Sequence, residues 1–169
     1  MARAERLLAG LLKLERWVAL AAFAVMATVV MVDVASREFT GTGISGAPRV
    51  AVYAMIVTAM ISFGLASGTG RHLRPKFVDR YQPAAWEGWL TRAQEWIMAA
   101  FCLTFAIVAV GVVRETYELA EMSRMLRIAI WPMQTVIPIA FFIGAVRHAL
   151  YALYPELRPK PKGVEPLVR

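Results

Sequence analysis

Four long stretches without a charged residue constrain this chain more than any other feature of its sequence. These stretches are residues 17–32, 50–70, 96–113 and 128–146. A helix that crosses the hydrocarbon core of a bilayer needs about 20 mostly apolar residues, with a range of about 17–25. The first stretch is shorter, but the flanking Arg16 and Asp33 can snorkel to the interfaces and lengthen it. The sequence therefore predicts four membrane-spanning helices, at about residues 14–33, 50–70, 96–114 and 128–147.

The composition agrees with a membrane protein and excludes an ordinary soluble domain. Apolar residues make up 59% of the 169 residues, and the mean hydropathy is +0.53, whereas soluble domains contain about 45–50% apolar residues. A β-barrel would need strands of about ten residues with alternating polarity, and no segment alternates in this way. We therefore predict an all-α integral membrane protein, with one four-span domain at residues 1–154 and a proline-rich cytoplasmic tail at residues 155–169.

The distribution of basic residues predicts the orientation of the four spans. Fourteen of the 19 Lys and Arg residues lie in the N-terminal tail, the second loop and the C-terminal tail, and five lie in the first and third loops. Cytoplasmic segments carry the excess of Lys and Arg, so both termini are predicted to be cytoplasmic. The long charged leader, with no A-x-A site after the apolar run, predicts a first span that is not cleaved. Topology accounts for the net charge of +7, and no nucleic-acid partner is needed to explain it.

Two segments on the cytoplasmic side have the pattern of amphipathic helices. Residues 3–16 place five leucines on one face and the basic residues on the other, with Glu15 as a misfit in the apolar face. This segment is predicted to be either an interfacial helix or a plain extension of the first span. In the second loop, Pro83 is followed by Trp86, Trp89 and further apolar residues at helical spacing. We predict a short surface helix at about residues 84–95, which could lie in lipid and also contact a partner.

The third loop begins with a regular acidic pattern. Glu115, Glu118 and Glu121 recur every three residues, so they are predicted to lie along one face of a third helix that continues past the membrane. Such a face could meet a basic patch on a soluble binding protein. A solvated helix face is the simpler interpretation.

A search for catalytic or ligand-binding chemistry predicts neither an enzyme nor a cofactor site. With these boundaries the ionisable residues lie at the ends of the spans or beyond them, which argues against an independent ion-coupled carrier. His72 and His148 lie at the cytoplasmic ends of two spans, with no carboxylate or cysteine at metal-ligand spacing. Cys102 is the single cysteine and is predicted to be a small apolar residue of a helix. Two prolines flank Gln134 and Thr135, where a packing kink is favoured over an ion site.

Small residues in the second span predict close helix packing. Gly68 and Gly70 precede Arg71, but the spacing of a phosphate-binding loop is not met. Instead, small side chains recur every four residues beside a parallel pair of glycines, and such ridges allow helices to approach closely in lipid, either within this chain or against a partner. The ridge consists of Ala54, Thr58, Ser62, Ala66 and Gly70, and the pair consists of Gly64 and Gly68.

Three segments, in their order and spacing, resemble the small membrane subunit of the tripartite ATP-independent periplasmic (TRAP) transporters, the Q-type or DctQ-like subunit. VDVASREF, with Asp33 and Arg37, resembles the family's segment at the end of the first span. FGLASGTGRHLRPKFVD resembles its glycine-rich exit from the second span, and IAIWPMQTVIP resembles the opening of its fourth span. The family often carries a Trp…Glu pair where this chain has Arg49, so no role of that acidic residue is carried over.

The resemblance implies a non-catalytic scaffolding subunit in the bacterial inner membrane. A large permease subunit would carry the substrate and sodium sites, and a periplasmic binding protein would deliver an organic acid, typically a carboxylate. The small subunit of a tripartite tricarboxylate transporter and a self-sufficient homo-oligomeric carrier remain as alternatives. Phospholipid headgroups are expected at the span ends, because guanidinium groups pair well with phosphate and tryptophan favours the interface. The candidates for these contacts are Arg37, Arg71, Arg74, Trp86 and Trp89.

Overall fold

The computed structural model describes residues 2–68 and 87–159, and within these ranges the chain is a set of long antiparallel helices. The helices are α1 (Ala2–Thr40), α2 (Ala47–Gly68), α3 (Glu87–Glu118), α4 (Trp131–Gln134) and α5 (Val136–Leu153), and a 3-10 turn at Pro155–Leu157 follows. Four helical stretches are long and apolar enough to cross a membrane, and α4 and α5 together form the fourth. The prediction of an all-α, four-span fold is confirmed.

The two predicted amphipathic segments are the first turns of long helices. α1 runs without interruption from Ala2 to Thr40, so the N-terminal segment is an extension of the first span, one of the two predicted alternatives. The described part of the predicted surface helix, from Glu87, continues directly into the third span as α3. Both segments are helical as predicted, but neither is separated from its span by a break.

The helices are arranged in an open row in the order α1, α2, α5, α3. α1 packs along α2, α3 packs along α5, and a smaller contact between α2 and α5 joins the two pairs. Among the described helices, α1 and α3 scarcely touch one another, so the row does not close into a four-helix ring. This arrangement leaves much apolar surface uncovered: only 11% of the most apolar window of α1 is buried, compared with 44% in the fourth span.

Each outer helix uses a single narrow seam to join the row. The inward positions of α1 alternate steps of four and three residues: Leu8, Leu12, Glu15, Ala19, Ala22, Met26, Val29, Asp33 and Ser36. Those of α3 follow the same rule: Glu95, Ala99, Cys102, Ala106, Ala109, Val113 and Thr116. A repeat of 3.5 residues is the pattern of a left-handed helix pair. The α3 seam therefore consists largely of small residues and begins with Glu95, whereas the α1 seam mixes small and large apolar residues between Glu15 and Asp33.

The row has two distinct ends. At the terminal end, which holds the beginning of α1 and the end of α5, the side chains of Glu15, Glu95 and Arg147 lie close together. At the hairpin end, residues 41–46 join α1 to α2 and residues 119–130 join α3 to α4, and Gly46 of the first loop lies against Leu126 of the second. Among the described residues, the buried ionisable side chains lie near these two ends.

Candidate functional site

A buried ion pair joins three helices at the terminal end. The Arg147 side chain on α5 is fully buried, and its Nη2 atom donates to Oε2 of Glu15 on α1 at 2.6 Å. Its Nη1 atom donates to the carbonyl oxygen of Gly64 on α2. Both charges are buried away from water. A buried ion pair offsets its desolvation cost only if its geometry is good and further hydrogen bonds are made. Arg147 therefore holds α1, α2 and α5 together at one point.

The neighbouring residue on α5 forms a second buried cluster. The imidazole of His148 lies 2.6 Å from Oε2 of Glu95 through Nδ1 and 3.3 Å from Oγ of Ser67 through Nε2. The remaining oxygen of Glu95 forms an ion pair with Arg158, whose Nε lies 3.2 Å away. Because Nδ1 faces a carboxylate, it carries a proton and donates. This cluster connects α2, α3 and α5, so adjacent residues of α5 contact every other span of the row.

These two clusters correct an expectation from the sequence. No carboxylate stands at metal-ligand spacing from His148 in the sequence, but the structure places Glu95 of α3 against it. The misfit of Glu15 in a leucine-rich face is explained by its pairing with Arg147, which lies 132 positions away in the chain. The signal was present in the sequence as an acidic residue on an apolar face, but its partner could not be identified without the fold.

At the hairpin end, Asp33 on α1 forms a clasp over the first loop. Its Oδ2 accepts from Nη2 of Arg37 at 2.7 Å and from Nε at 3.1 Å, and its Oδ1 accepts from the backbone N–H of Ile44 at 2.7 Å. A Cβ atom at Gly43 would lie 2.8 Å from Oδ1 of Asp33, so this approach needs a glycine. Arg37 was predicted to contact phosphate; its guanidinium is engaged by Asp33 and its side chain is 58% exposed.

The acidic residues of the third loop do not share one helix face. α3 extends to Glu118, as predicted for a helix that continues past the membrane. Glu118 pairs with Arg114 at 2.7 Å on an exposed surface, and Glu115 is exposed beside it. Glu121 lies beyond the helix, because Ala120 adopts a positive φ of 48° and turns the chain. The prediction of a three-residue acidic face is therefore wrong for Glu121, and docking through Glu115 and Glu118 stays a prediction.

Glu121 instead lines a cleft of about 330 Å³ between the start of α2 and the third loop. The loop is closed by backbone bonds from Ser123 N–H to Ile128 O at 2.8 Å and from Ile130 N–H to Glu121 O at 3.1 Å. The residues that line the cleft are Arg49, Tyr53, Glu121, Met122, Ser123, Arg124 and Ile130. Arg49, which replaces the acidic residue often found in the resembled family, therefore faces this cleft.

The small residues of α2 divide between packed and exposed positions. Gly64 and Gly68 are buried, and a Cβ atom at Gly64 would collide with the Glu15 carboxylate. Ala54 is buried, Thr58 and Ala66 are half-buried, and Ser62 is exposed. A step of four residues rotates by about 40° around a helix, so the predicted ridge does not stay on one face. Contact of Ser62 with a partner stays a prediction.

The kink in the fourth span is built from its own residues. Pro138 has no N–H group, so it cannot donate to the carbonyl of Gln134. Thr135 separates α4 from α5, and its Oγ1 donates to the carbonyl of Pro132 at 2.6 Å. This geometry matches the predicted packing kink.

The predicted contact residues Gly70, Arg71, Arg74 and Trp86 lie outside the described residues, and so does His72. Trp89 is described, and its side chain is 70% exposed near the start of α3. No group of three or more His, Cys, Asp or Glu side chains able to hold a metal ion occurs in the described part of the chain.

Comparison with known proteins gives one result that covers most of the chain. A family profile described as tripartite ATP-independent periplasmic transporters, DctQ component, matches residues 26–158. No curated protein matches the chain at significant similarity. The matched region contains the Asp33 clasp, the cleft, and both Arg147 and His148. Glu15 precedes it.

Proposed function

Because this chain belongs to the DctQ component family of the TRAP transporters, we propose that it is the non-catalytic scaffold of a sodium-coupled importer. The large permease subunit carries out transport of an organic acid, a carboxylate, which a periplasmic binding protein delivers. The small subunit holds its moving partner in the bacterial inner membrane. Both of its termini lie in the cytoplasm, and phospholipid surrounds its span ends.

The observation that carries this proposal is the open row of helices. Secondary transporters place their substrate and ion sites near the middle of the membrane, whereas this chain gathers its buried charges at the two ends of the row. α1 and α3 are each joined to the row by one seam, and large apolar side chains cover much of their remaining surface. A row of helices that is connected by buried ion pairs and has broad apolar faces suits a subunit that supports a moving partner.

The exposed stripe of α2 is the face that best fits the large subunit. Val52, Met55, Ala59 and Ser62 are exposed along this otherwise covered helix. Two of these four residues, Ala59 and Ser62, are small, and small residues favour close packing of helices in lipid. The exposed positions of α3 at mid-span include large side chains such as Ile107 and Val108. We expect α2 to face protein and the outer side of α3 to face lipid.

Co-expression with the large permease and the binding protein tests this function. The untagged chain is expected to co-purify with a tagged large subunit, and vesicles are expected to take up the carboxylate only when both subunits and a sodium gradient are present. Ala59→Trp is expected to lower co-purification at least tenfold, while Val108→Trp, on exposed apolar surface, leaves it unchanged. Uptake by this chain alone would overturn the proposal, and equal effects of the two tryptophans would reject the α2 face.

The proposed orientation can be measured with single cysteines. In a Cys102→Ala background, Gly10→Cys reports the terminal end and Thr42→Cys reports the first loop; a side chain at Gly10 meets open space, and Thr42 is exposed. A membrane-impermeant maleimide added to intact spheroplasts is expected to label Thr42→Cys at once and Gly10→Cys only after permeabilisation. The reverse pattern would place the termini in the periplasm.

A further inference from the structure

The cleft at the hairpin end has the chemistry of an anion site. Arg49 and Arg124 both line it, and neither has a carboxylate within ion-pair distance among the described residues. Ser123 lines it as well; this residue is 4% exposed, and its buried Oγ has no hydrogen-bond partner in the described part of the chain. A buried hydroxyl without a partner costs free energy, and an oxyanion in the cleft would accept a hydrogen bond from it.

The position of the cleft indicates what kind of anion reaches it. Arg49 directly precedes the apolar stretch of α2, and Ile130 precedes the first residue of the fourth span. At the ends of the spans nearby, Tyr117 and Trp131 pack edge to face with ring centroids 5.6 Å apart. Tyrosine and tryptophan concentrate at the headgroup level of a bilayer. The anion present at that level in every membrane is the phosphate of a phospholipid.

The remaining residues of the cleft fit the other parts of such a molecule. Guanidinium groups match phosphate in geometry and charge, and Met122 and Ile130 provide an apolar wall for the glycerol and the first acyl carbons. Glu121 also lines the cleft, where its carboxylate would oppose a purely anionic ligand and would pair with an ammonium group. We propose that this cleft is a binding site for an aminophospholipid, whose phosphate is held by Arg49, Arg124 and Ser123 and whose ammonium is held by Glu121.

Native mass spectrometry of the full chain in detergent micelles tests the proposal. The probes are phosphatidylethanolamine, phosphatidylglycerol and inorganic phosphate. Phosphatidylethanolamine is expected to bind at least tenfold more tightly than phosphatidylglycerol. The double variant Arg49→Gln/Arg124→Gln is expected to lose at least tenfold in affinity for it, and Ser123→Ala several-fold. The matched control is Arg127→Gln, an exposed arginine of the same loop that does not line the cleft, and it is expected to bind like the parent.

A single exposed substitution keeps the proposal falsifiable if the double variant does not fold. Glu121→Gln is expected to retain phosphatidylglycerol binding and to remove the preference for phosphatidylethanolamine. Unchanged preference in Glu121→Gln, or equal loss in Arg127→Gln, would overturn the site. Displacement of the lipid by millimolar inorganic phosphate would assign the cleft to a free anion instead. If Arg49→Gln/Arg124→Gln bound lipid like the parent but lost association with the binding protein, the cleft would instead be a contact for an acidic surface of that protein.

Discussion

Replacing Arg147 with methionine is expected to destabilise the folded chain by about 3–5 kcal/mol, the range measured when one partner of a buried ion pair is removed. Methionine is apolar and long enough to fill much of the space. The cost arises because Glu15 remains buried without its cation and the carbonyl of Gly64 loses its donor. Equilibrium unfolding in a denaturing detergent, followed by circular dichroism, measures the free energy of unfolding.

Two further variants separate charge loss from general damage. Arg114→Met breaks the exposed pair with Glu118 and is expected to change stability by less than about 1 kcal/mol. Glu15→Gln combined with Arg147→Met is expected to regain much of the loss, because no unpaired charge is then buried. If Arg147→Met is no worse than Arg114→Met, the buried pair contributes little to stability.

A glycine-to-alanine pair is expected to give effects of opposite sign. At Gly64 a new Cβ would collide with the Glu15 carboxylate, so this carboxylate must shift and its ion pair with Arg147 is disturbed. We expect Gly64→Ala to destabilise the chain by about 1–3 kcal/mol, the usual cost of overpacking. At Gly111 on α3 nothing lies within 4 Å of the new atom, and alanine is favoured over glycine in a helix by up to about 1 kcal/mol.

The same unfolding measurement compares the two alanines. Both substitutions add one methyl group to a helix of the row, so propensity alone predicts a gain for each. Only steric contact with α1 makes them differ. Two gains of equal size would show that α1 and α2 do not approach as closely as the Gly64 contact requires.

Features that depend on local sequence could be predicted well. A long stretch without a charged residue was enough to predict each span. The acidic pattern after Val113 predicted that the third helix continues past the membrane, and α3 does extend to Glu118. The prediction that Glu121 shares a helix face with Glu115 and Glu118 failed, because Ala120 adopts a left-handed conformation that helical periodicity does not predict. Local pattern thus determined the helices but not where a loop turns.

Features that depend on distant pairing could not be predicted. Glu15 was visible as a misfit and Arg147 as a basic residue after an apolar run, but either could have met water or lipid headgroups. Glu95 and His148 are also distant in the chain, 53 positions apart. The cleft likewise needs α2 and the third loop to be adjacent, so Arg49 appeared only as a departure from a family pattern. These sites arise from the order of helices in the row, which no local pattern contains.

The α1 seam also sets a length. Glu15 and Asp33 are both buried on it, eighteen residues apart, which corresponds to about 27 Å along a helix. A bilayer core is about 30 Å thick. Asp33 accepts from the backbone N–H of Ile44, and Glu15 pairs with Arg147, which itself donates to the carbonyl of Gly64 on α2. Because these bonds hold both ends of the seam, α1 cannot slide along α2 to follow a thicker or thinner membrane. We therefore expect hydrophobic mismatch around this subunit to be absorbed by local deformation of the lipid, so that the protein presents a constant thickness to whatever moves beside it.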